Sequence, residues 1–313
     1  GGIVGIWFAA STLREMDRAG QEALSERTLA IGKLLLDSKR QQLNSYADSI
    51  QREARVLATA QNTRRALSVL RRSTDDYIVQ AGLDAAALAA ARERLVAFYR
   101  GEWARHFERV RGESPELDAE SFVAALDDTA VALQAAYLAD NVHPPGRHAA
   151  LMRAQADTDY NAVHEQLQQL FGNLVQTLGY EDVYLVDAPT GRVLFTAQKE
   201  MDFGTSLLAG PLANSALGEA FRAARDATRP GTLTFSDFGT YLPSYNQPVA
   251  FVASPVHIRD ANSGLTGVII FTIAPARLNE IFAQTAQLGR TSEVILVGPD
   301  YLPRVDLPRD ESG

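Results

Sequence analysis

The spacing of apolar residues differs between the two halves of the chain. From about Ser11 to Arg72 there is no proline, and apolar residues recur every seven positions at Leu29, Leu36, Leu43, Ile50 and Leu57. A narrow stripe of this kind predicts one long helix of about 60 residues. Such a helix either spans the length of an elongated domain or pairs with a partner chain.

Further helical patterns follow up to residue 178. The segment around LDAAALAAARERLVAFYRGEW is rich in alanine, and Ser114-Pro115 is a helix-start signal for the segment after it. A third helix is predicted from about Asp159 to Leu178, because its leucines and valines fall on one face.

After residue 178 the pattern favours strands. VYLVD (183–187), the turn residues PTGR, and VLFTA (193–197) predict a hairpin, and further strands are predicted at 232–241, 249–258 and 265–273. A helix at 214–226, with Asn214 as its N-cap, and a proline-opened helix at 275–285 complete the set. The short connections favour an antiparallel sheet. The fold class is therefore α+β, a long helical scaffold with a sheet of about five strands.

The termini and the domain limits follow from these patterns. We predict a long N-terminal helix over 1–72, a helical region over 73–178, an α+β module over 179–286, and over 287–313 either the start of a second module or a closing strand. Residues 3–10 are apolar but too few to cross a bilayer, which takes about 20. We interpret them as the outer end of a transmembrane helix; the alternative is a helix end that packs on another helix.

Composition excludes several classes of function. The net charge of -8 disfavours bulk nucleic-acid binding, and the absence of cysteine excludes disulfides, thiol catalysis and cysteine-bound metals. The five histidines lack the spacing of a metal site, and no nucleophile or phosphate-loop motif occurs. We therefore expect no cofactor, no metal and no enzyme activity.

Asp237 is the first candidate site residue. In GTLTFSDFGTY (231–241), strand alternation puts Asp237 on the same face as Leu233 and Phe235. A carboxylate on an apolar face is costly unless it has a partner. We expect it to face a cavity and contact a ligand; the alternative is a structural partner such as Arg192. A strand slip of one residue would turn it to solvent.

Tyr241 and Tyr245 flank the loop that follows. Aromatic residues with a polar tip suit a small-molecule pocket, since each supplies contact area and one hydrogen bond. Packing of the loop itself is the alternative, above all for Tyr245.

The second half of the chain resembles the Cache superfamily. The segments that carry the resemblance are GYEDVYLVDAPTGRVLFTAQKEMDFG, FSDFGTYLPSYNQPVAFVASPV, GLTGVIIFTI and LGRTSEVILVGPDYLPR. Members are PAS-like extracytoplasmic sensor domains of bacterial methyl-accepting chemotaxis proteins and sensor histidine kinases. The pattern by which the family's amino-acid receptors clamp an amine is not evident, so amino-acid specificity is not inferred.

The resemblance implies further site residues. In such domains the loop after the second strand roofs the pocket, which makes Lys199, Asp202 and Phe203 candidates together with Tyr184 on the first strand. The alternatives are solvent exposure for Lys199 and Asp202 and a place in the core for Phe203 and Tyr184.

These inferences predict the extracytoplasmic, periplasmic part of an inner-membrane chemoreceptor or sensor kinase. It would bind a small solute and signal by helix displacement, as a homodimer in the full receptor with a flanking transmembrane helix. One alternative is a protein-interaction module without a small ligand. Another is an enzyme with Asp237 as acid or base, which inward-pointing Lys199 or Asp202 would favour.

Overall fold

The computed structural model describes residues 5–10, 18–227, 229, 231–257, 264–273, 280 and 292–297. Contacts divide the chain into two units. The terminal unit comprises residues 1–52 and 274–313, and the central unit comprises residues 53–273.

The terminal unit pairs two distant strands. β1 (Gly5–Ala10) runs antiparallel to β8 (Ser292–Val297), with Trp7 opposite Ile295. The expected transmembrane helix end at 3–10 is therefore a strand over the residues described. The periodicity of a short apolar run does not distinguish a helix from a strand. Here the run forms a strand because it pairs with a remote segment of the chain. Among the described residues, no helix combines the length and the apolar character needed to cross a membrane.

One strand is described within 287–313, where a second module or a closing strand was expected. β8 belongs to the two-stranded sheet with β1 and does not close the larger sheet. The proline-opened helix predicted at 275–285 lies outside the described residues except for Glu280, which is helical.

The predicted 60-residue helix is interrupted. α1 (Arg18–Thr59) and α2 (Gln61–Asp75) meet at Ala60, whose ψ of 137° is extended. No proline or glycine marks this break in the sequence. α2 then buries Leu67 against the sheet, where a side chain on Gly267 would come within 2.7 Å of Leu67. The missing Cβ at Gly267 allows this close approach of α2 to the sheet.

Short helices fill the region up to residue 178. Asp84, Asp118, Asp127 and Thr158 each accept a backbone N–H at a helix start, as N-cap residues do. π-helical turns occupy Tyr99–Trp103 and Ala135–Ala139. The α-helices are α3 (Tyr77–Gln80), α4 (Ala85–Phe98), α5 (Ala104–Arg111), α6 (Ala119–Ala124), α7 (Asp128–Gln134) and α8 (Asp159–Leu178). α8 has the predicted bounds.

The central sheet is antiparallel, which confirms the predicted α+β fold. Its strands are β2 (Asp182–Asp187), β3 (Val193–Thr196), β4 (Thr234–Phe235), β5 (Gly239–Tyr241), β6 (Gln247–His257) and β7 (Leu265–Ile273). The order is β3-β2-β7-β6-β4, and β5 also pairs with β6. α9 (Ala216–Arg225) begins with Ser215 as its N-cap, one residue beyond the expected Asn214.

The short helices and the sheet share one hydrophobic core. Trp103 and Phe122 of the helical region lie in the same buried cluster as Tyr184, Phe251 and Ile270 of the sheet. The boundary expected between residues 178 and 179 therefore does not separate two cores.

Candidate functional site

A cavity of about 250 Å³ opens beside the first strand of the central sheet. It is formed by α5, the start of β2, the loop after β3, and the loop between β5 and β6. The lining residues are His106, Val110, Gly146, Glu181, Asp182, Tyr184, Gln198, Glu200, Pro243, Ser244, Tyr245 and Gln247. Gly146 has φ +80°, and a Cβ there would lie 2.8 Å from His106 Nε2, so glycine leaves room for the imidazole.

Asp202 lies directly behind this wall. Its Oδ2 accepts hydrogen bonds from Tyr184 (3.1 Å) and Tyr241 (2.8 Å), and it is fully buried. Its Oδ1 is buried with no hydrogen-bond partner among the described residues. Burial, with the nearby charge of Asp182, raises the pKa of Asp202 to about 7.

Two acidic residues at the start of β2 line the cavity and differ in their hydrogen bonding. Asp182 accepts the backbone N–H groups of Val183, Ala197 and Gln198 and the hydroxyl of Thr196, so it fastens β2 to the end of β3. Its pKa is raised to about 6 by burial. In contrast, Glu181 Oε2 is buried with no partner in the described part of the chain, and burial raises the Glu181 pKa to about 7.

Glu200 supplies the opposite wall. Its Oε2 accepts a hydrogen bond of 2.9 Å from Tyr245, and burial raises the Glu200 pKa well above its usual range. The Tyr245 ring stacks on Trp103, with centroids 6.0 Å apart, and lies 4.7 Å from the His106 ring. The tyrosine is thereby fixed between a carboxylate and two aromatic residues.

The helical region holds the loop that carries Glu200 and Asp202. Gln134, which is fully buried, donates both amide hydrogens, to the carbonyls of Met201 and Phe203, at 2.8 Å each. Its Oε1 accepts a hydrogen bond of 2.8 Å from Tyr99. Tyr99 opens one π-helical turn and Gln134 immediately precedes the other, and such turns are frequent at functional sites.

Unusual backbone conformations occur in both loops beside the cavity. Among the described residues, the positive-φ positions other than glycine are Lys199 (59°), Tyr245 (54°) and Asn246 (54°). A left-handed residue other than glycine costs about 1–3 kcal/mol and persists where the surroundings fix it, most often at binding and catalytic sites. The two loops are therefore held in defined conformations.

The side chains of Lys199 and Phe203 are buried in the protein interior, but neither residue belongs to the cavity lining. Lys199 is fully buried, and its Nζ donates to the carbonyl of Ala197. Burial lowers the Lys199 pKa to about 7. Phe203 packs edge-on against Tyr137 in the core, in line with the alternative weighed for it.

Asp237 is not in the site. β4 ends at Phe235 and β5 begins at Gly239, so the predicted strand 232–241 is interrupted where Asp237 lies. Phe235 and Asp237 are both exposed, and Asp237 Oδ1 accepts the N–H of Phe238. The expectation of a buried carboxylate is wrong because strand alternation does not continue through an interrupted strand.

Sequence reasoning missed Glu181, Asp182 and Glu200. A signal was present, since GYEDVY precedes the hairpin and QKEMDF follows it. Antiparallel pairing of β2 with β3 brings the start of one strand to the end of the other, and so brings these acidic residues together.

A larger cavity of about 400 Å³ lies among the helices and has a different character. Its floor includes Ala91, Ala132 and Tyr77, and Arg94 and Asp140 at its edge pair with each other. It lacks the buried carboxylates of the smaller cavity among its described lining residues. In the described part of the chain, no group of three or more His, Asp or Glu residues is placed to hold a metal ion.

Comparisons with known proteins give partial matches of structure only. No family model matches the chain, and no curated protein matches its sequence. The sensor domain of the V. cholerae histidine kinase DctB matches at 14% identity and TM-score 0.30, over 40% of this chain and 43% of that one.

Two chemoreceptor domains match to a similar degree. The ligand-binding domain of Pseudomonas fluorescens CtaA, in complex with L-serine, matches at 17% identity and TM-score 0.33, over 47% of this chain and 55% of that one. That of Pseudomonas aeruginosa PAO1 PctC, in complex with GABA, matches at 15% identity and TM-score 0.30, over 45% and 66%. The alignments thus span less than two thirds of each of these chains.

Proposed function

We propose that the central unit is the ligand-binding sensor domain of a membrane receptor and that it binds a small solute in the cavity between Glu181 and Tyr245. One observation carries the proposal. The cavity wall and the side chain behind it contain carboxylate oxygens, Glu181 Oε2 and Asp202 Oδ1, that are buried and lack a partner among the described residues. Buried acceptors without a donor are costly, and a ligand that supplies donors would recover that cost.

The surroundings of these oxygens support binding over simple packing. Asp202 is fixed by two tyrosines, Glu200 by a third, and the loop between them by Gln134. Side chains that are held by their own hydrogen bonds pay little ordering cost when a ligand arrives. The site is thus organised before binding.

Signalling by helix displacement is the second part of the proposal. A ligand shifts a receptor only by its differential affinity for two arrangements of the protein. The 42 residues of α1 supply a long helix, and Leu36 and Leu43 on its seven-residue stripe are half-buried. We propose that α1 pairs with a second copy in a homodimeric inner-membrane receptor whose sensor domain is periplasmic.

Turnover of the ligand is not part of the proposal. Lys199 and Asp202 do point inward, the condition under which an enzyme would be favoured. Lys199 Nζ is engaged with the Ala197 carbonyl, however, and Asp202 reaches the cavity only through Tyr184. If the protein were an interaction module, the alanine-rich cavity of about 400 Å³ would be the surface for a partner. Its described lining residues include no buried carboxylate like those of the smaller cavity.

A thermal-shift screen of the protein against a metabolite library tests the proposal. A ligand at 100 times its dissociation constant should stabilise the fold by about 2.7 kcal/mol. Each ligand found is measured again on Glu181→Gln and Glu200→Gln, with Asp237→Asn as the control because that carboxylate lies at the surface. Stabilisation that is lost in the first two variants and kept in the control supports the site. If no compound stabilises the protein, or if all three variants respond like the wild type, the proposal fails.

A further inference from the structure

The ionisable groups around the cavity are predominantly acidic. Three carboxylates line it, those of Glu181, Asp182 and Glu200, and that of Asp202 lies behind Tyr184. No arginine or lysine occurs among its described lining residues. His106 is the lining residue whose side chain could carry a positive charge. Burial and the charge of Arg109 lower the pKa of His106, and the lower pKa favours the neutral imidazole.

Lys199 lies outside the cavity lining and offsets part of the acidic charge from there. Its Nζ donates to the carbonyl of Ala197, on the backbone that leads into the loop. Since burial also lowers its pKa to about 7, part of its population is neutral near neutral pH. Asp182 and Glu200 favour the charged form of Lys199, but among the described residues no arginine or lysine belongs to the cavity lining.

The tyrosine hydroxyls around the cavity already donate their hydrogens to acidic residues. The phenol hydrogens of Tyr184 and Tyr241 are both given to Asp202, and that of Tyr245 is given to Glu200. These groups have no further hydrogen to offer a ligand. The polar lining that keeps free donors, such as Ser244 and Gln247, is neutral.

Only some of the carboxylates are available to a ligand. Asp182 already accepts four donors from the chain, which makes it a structural group. Glu181 Oε2 and Asp202 Oδ1 remain unsatisfied by any described residue. Glu181 Oε2 therefore needs at least one N–H or O–H donor from the cavity, whereas Asp202 Oδ1 lies behind Tyr184, and a positive charge would also compensate the carboxylates.

From this arrangement we infer that the cavity selects a small organic cation without a carboxylate, such as a primary amine or diamine. The inference rests on the proposed function of the same site. An amino acid presents its own carboxylate, and here that group would meet acidic side chains with no arginine or lysine among the described lining residues to receive it. The volume of about 250 Å³ lies below the usual range of about 300–1,000 Å³ for ligand pockets, which limits the cation to a small one.

Isothermal titration calorimetry at pH 8 with three matched compounds tests the inference. Putrescine, 4-aminobutanoate and succinate share one carbon-chain length and differ in charge, as a dication, a zwitterion and a dianion. We expect putrescine to bind at least tenfold more tightly than 4-aminobutanoate, and succinate not to bind. Glu181→Gln should weaken putrescine binding at least tenfold. Glutamine matches the shape of the protonated acid that burial favours, so this variant should fold.

The outcomes separate the inference from the function it rests on. Tighter binding of 4-aminobutanoate or succinate than of putrescine would overturn cation selection while the sensor function stands. Failure of all three to bind would overturn it as well, and the library screen then decides whether the site takes another class of ligand or none. Equal loss of putrescine affinity in Asp237→Asn and Glu181→Gln would place binding outside this cavity and would also overturn the inference.

Discussion

Tyr241 on β5 donates a hydrogen bond of 2.8 Å to Oδ2 of Asp202, 39 residues earlier in the chain. Tyr184 on β2 donates to the same oxygen. Two strands that are not neighbours in the sheet are thus joined through one carboxylate in the loop after β3. The position of Tyr184 in the cavity wall therefore depends on this carboxylate.

The first prediction concerns the strength of this bond. Tyr241→Phe should lower the free energy of unfolding by about 1.5–3 kcal/mol at pH 8, the usual contribution of a hydrogen bond to a charged group. Tyr160→Phe is the matched control, since Tyr160 is equally buried and donates to a neutral carbonyl, that of Leu194. It should cost about 0.5–1.5 kcal/mol. Urea unfolding measures both, and equal losses would contradict an ionised Asp202 at pH 8.

The second prediction is a pH-dependent stability of Asp202→Asn. The pKa of Asp202 is raised from 3.8 to about 7, so the folded protein holds this proton more tightly than the unfolded chain does. The contribution of this tighter proton binding to the free energy of unfolding is complete below pH 4 and is lost as the pH rises through 7. Asparagine stays neutral, so the stability of the variant relative to the wild type should increase between pH 5 and pH 8. Thermal unfolding without ligand measures this, and a difference that is flat or of opposite sign contradicts the assigned shift.

The fold and part of this site follow from the sequence for identifiable reasons. The β2–β3 hairpin and α8 are local elements with a clear period and with turn or cap residues at their ends. Tyr184, Asp202 and Tyr241 were each candidates, and the structure joins them by hydrogen bonds. Tyr241 came from the local pattern and Tyr184 and Asp202 from the family resemblance, whereas Glu181, Asp182 and Glu200 were missed.

Other features depend on interactions that single-sequence patterns do not contain. The break at Ala60 occurs at a good helix former, and the partner of β1 lies almost at the other end of the chain. The surface position of Asp237 results from an interruption between β4 and β5 that alternation alone does not reveal. The role of Gln134 depends on contacts with residues 201 and 203.

The third prediction concerns Gln134 as the support of the site loop. Gln134→Leu keeps the approximate volume but leaves the buried carbonyls of Met201 and Phe203 and the hydroxyl of Tyr99 without their partner. Each such group costs about 1–3 kcal/mol, so we expect a loss of at least about 2 kcal/mol in unfolding free energy and weaker ligand binding. Tyr99→Phe removes only one of the three bonds and should cost less. An affinity unchanged in Gln134→Leu would show that the loop holds its position without this residue.

The fourth prediction concerns the contact of α2 with the sheet. Arg71 forms an ion pair with Asp187, which is almost fully buried at the end of β2, and also donates to the carbonyl of Thr266. Arg71→Met should cost about 2–3 kcal/mol because it leaves a buried carboxylate without its charged partner, although Arg71 itself is partly exposed. Arg153→Met, which breaks an exposed pair with Asp157, should cost about 1 kcal/mol or less. Chemical unfolding compares the two, and equal costs would show that the buried pair does not fasten α2.

The last prediction is that amine binding strengthens as the pH rises from 6 to 8. Burial gives Glu181 and Asp202 pKa values of about 7, so in the empty cavity both are largely protonated at pH 6. A bound cation favours their ionised forms and must displace those protons, a cost that disappears above pH 7. Lys199 acts in the same direction, because its pKa of about 7 means that it loses its repulsive charge over this range. An alkylamine keeps its own charge throughout, since its pKa resembles that of lysine, about 10.4.

Calorimetry of putrescine binding in buffers of different ionisation enthalpy counts the protons released. The count should be largest near pH 6, smaller at pH 8, and reduced in Glu181→Gln, in which one of the titrating groups is permanently neutral. Asp237→Asn should release as many protons as the wild type, since that carboxylate is exposed and lies apart from the cavity lining. An affinity that falls with rising pH, or proton uptake on binding, would show that the carboxylates of this cavity are not what the amine meets.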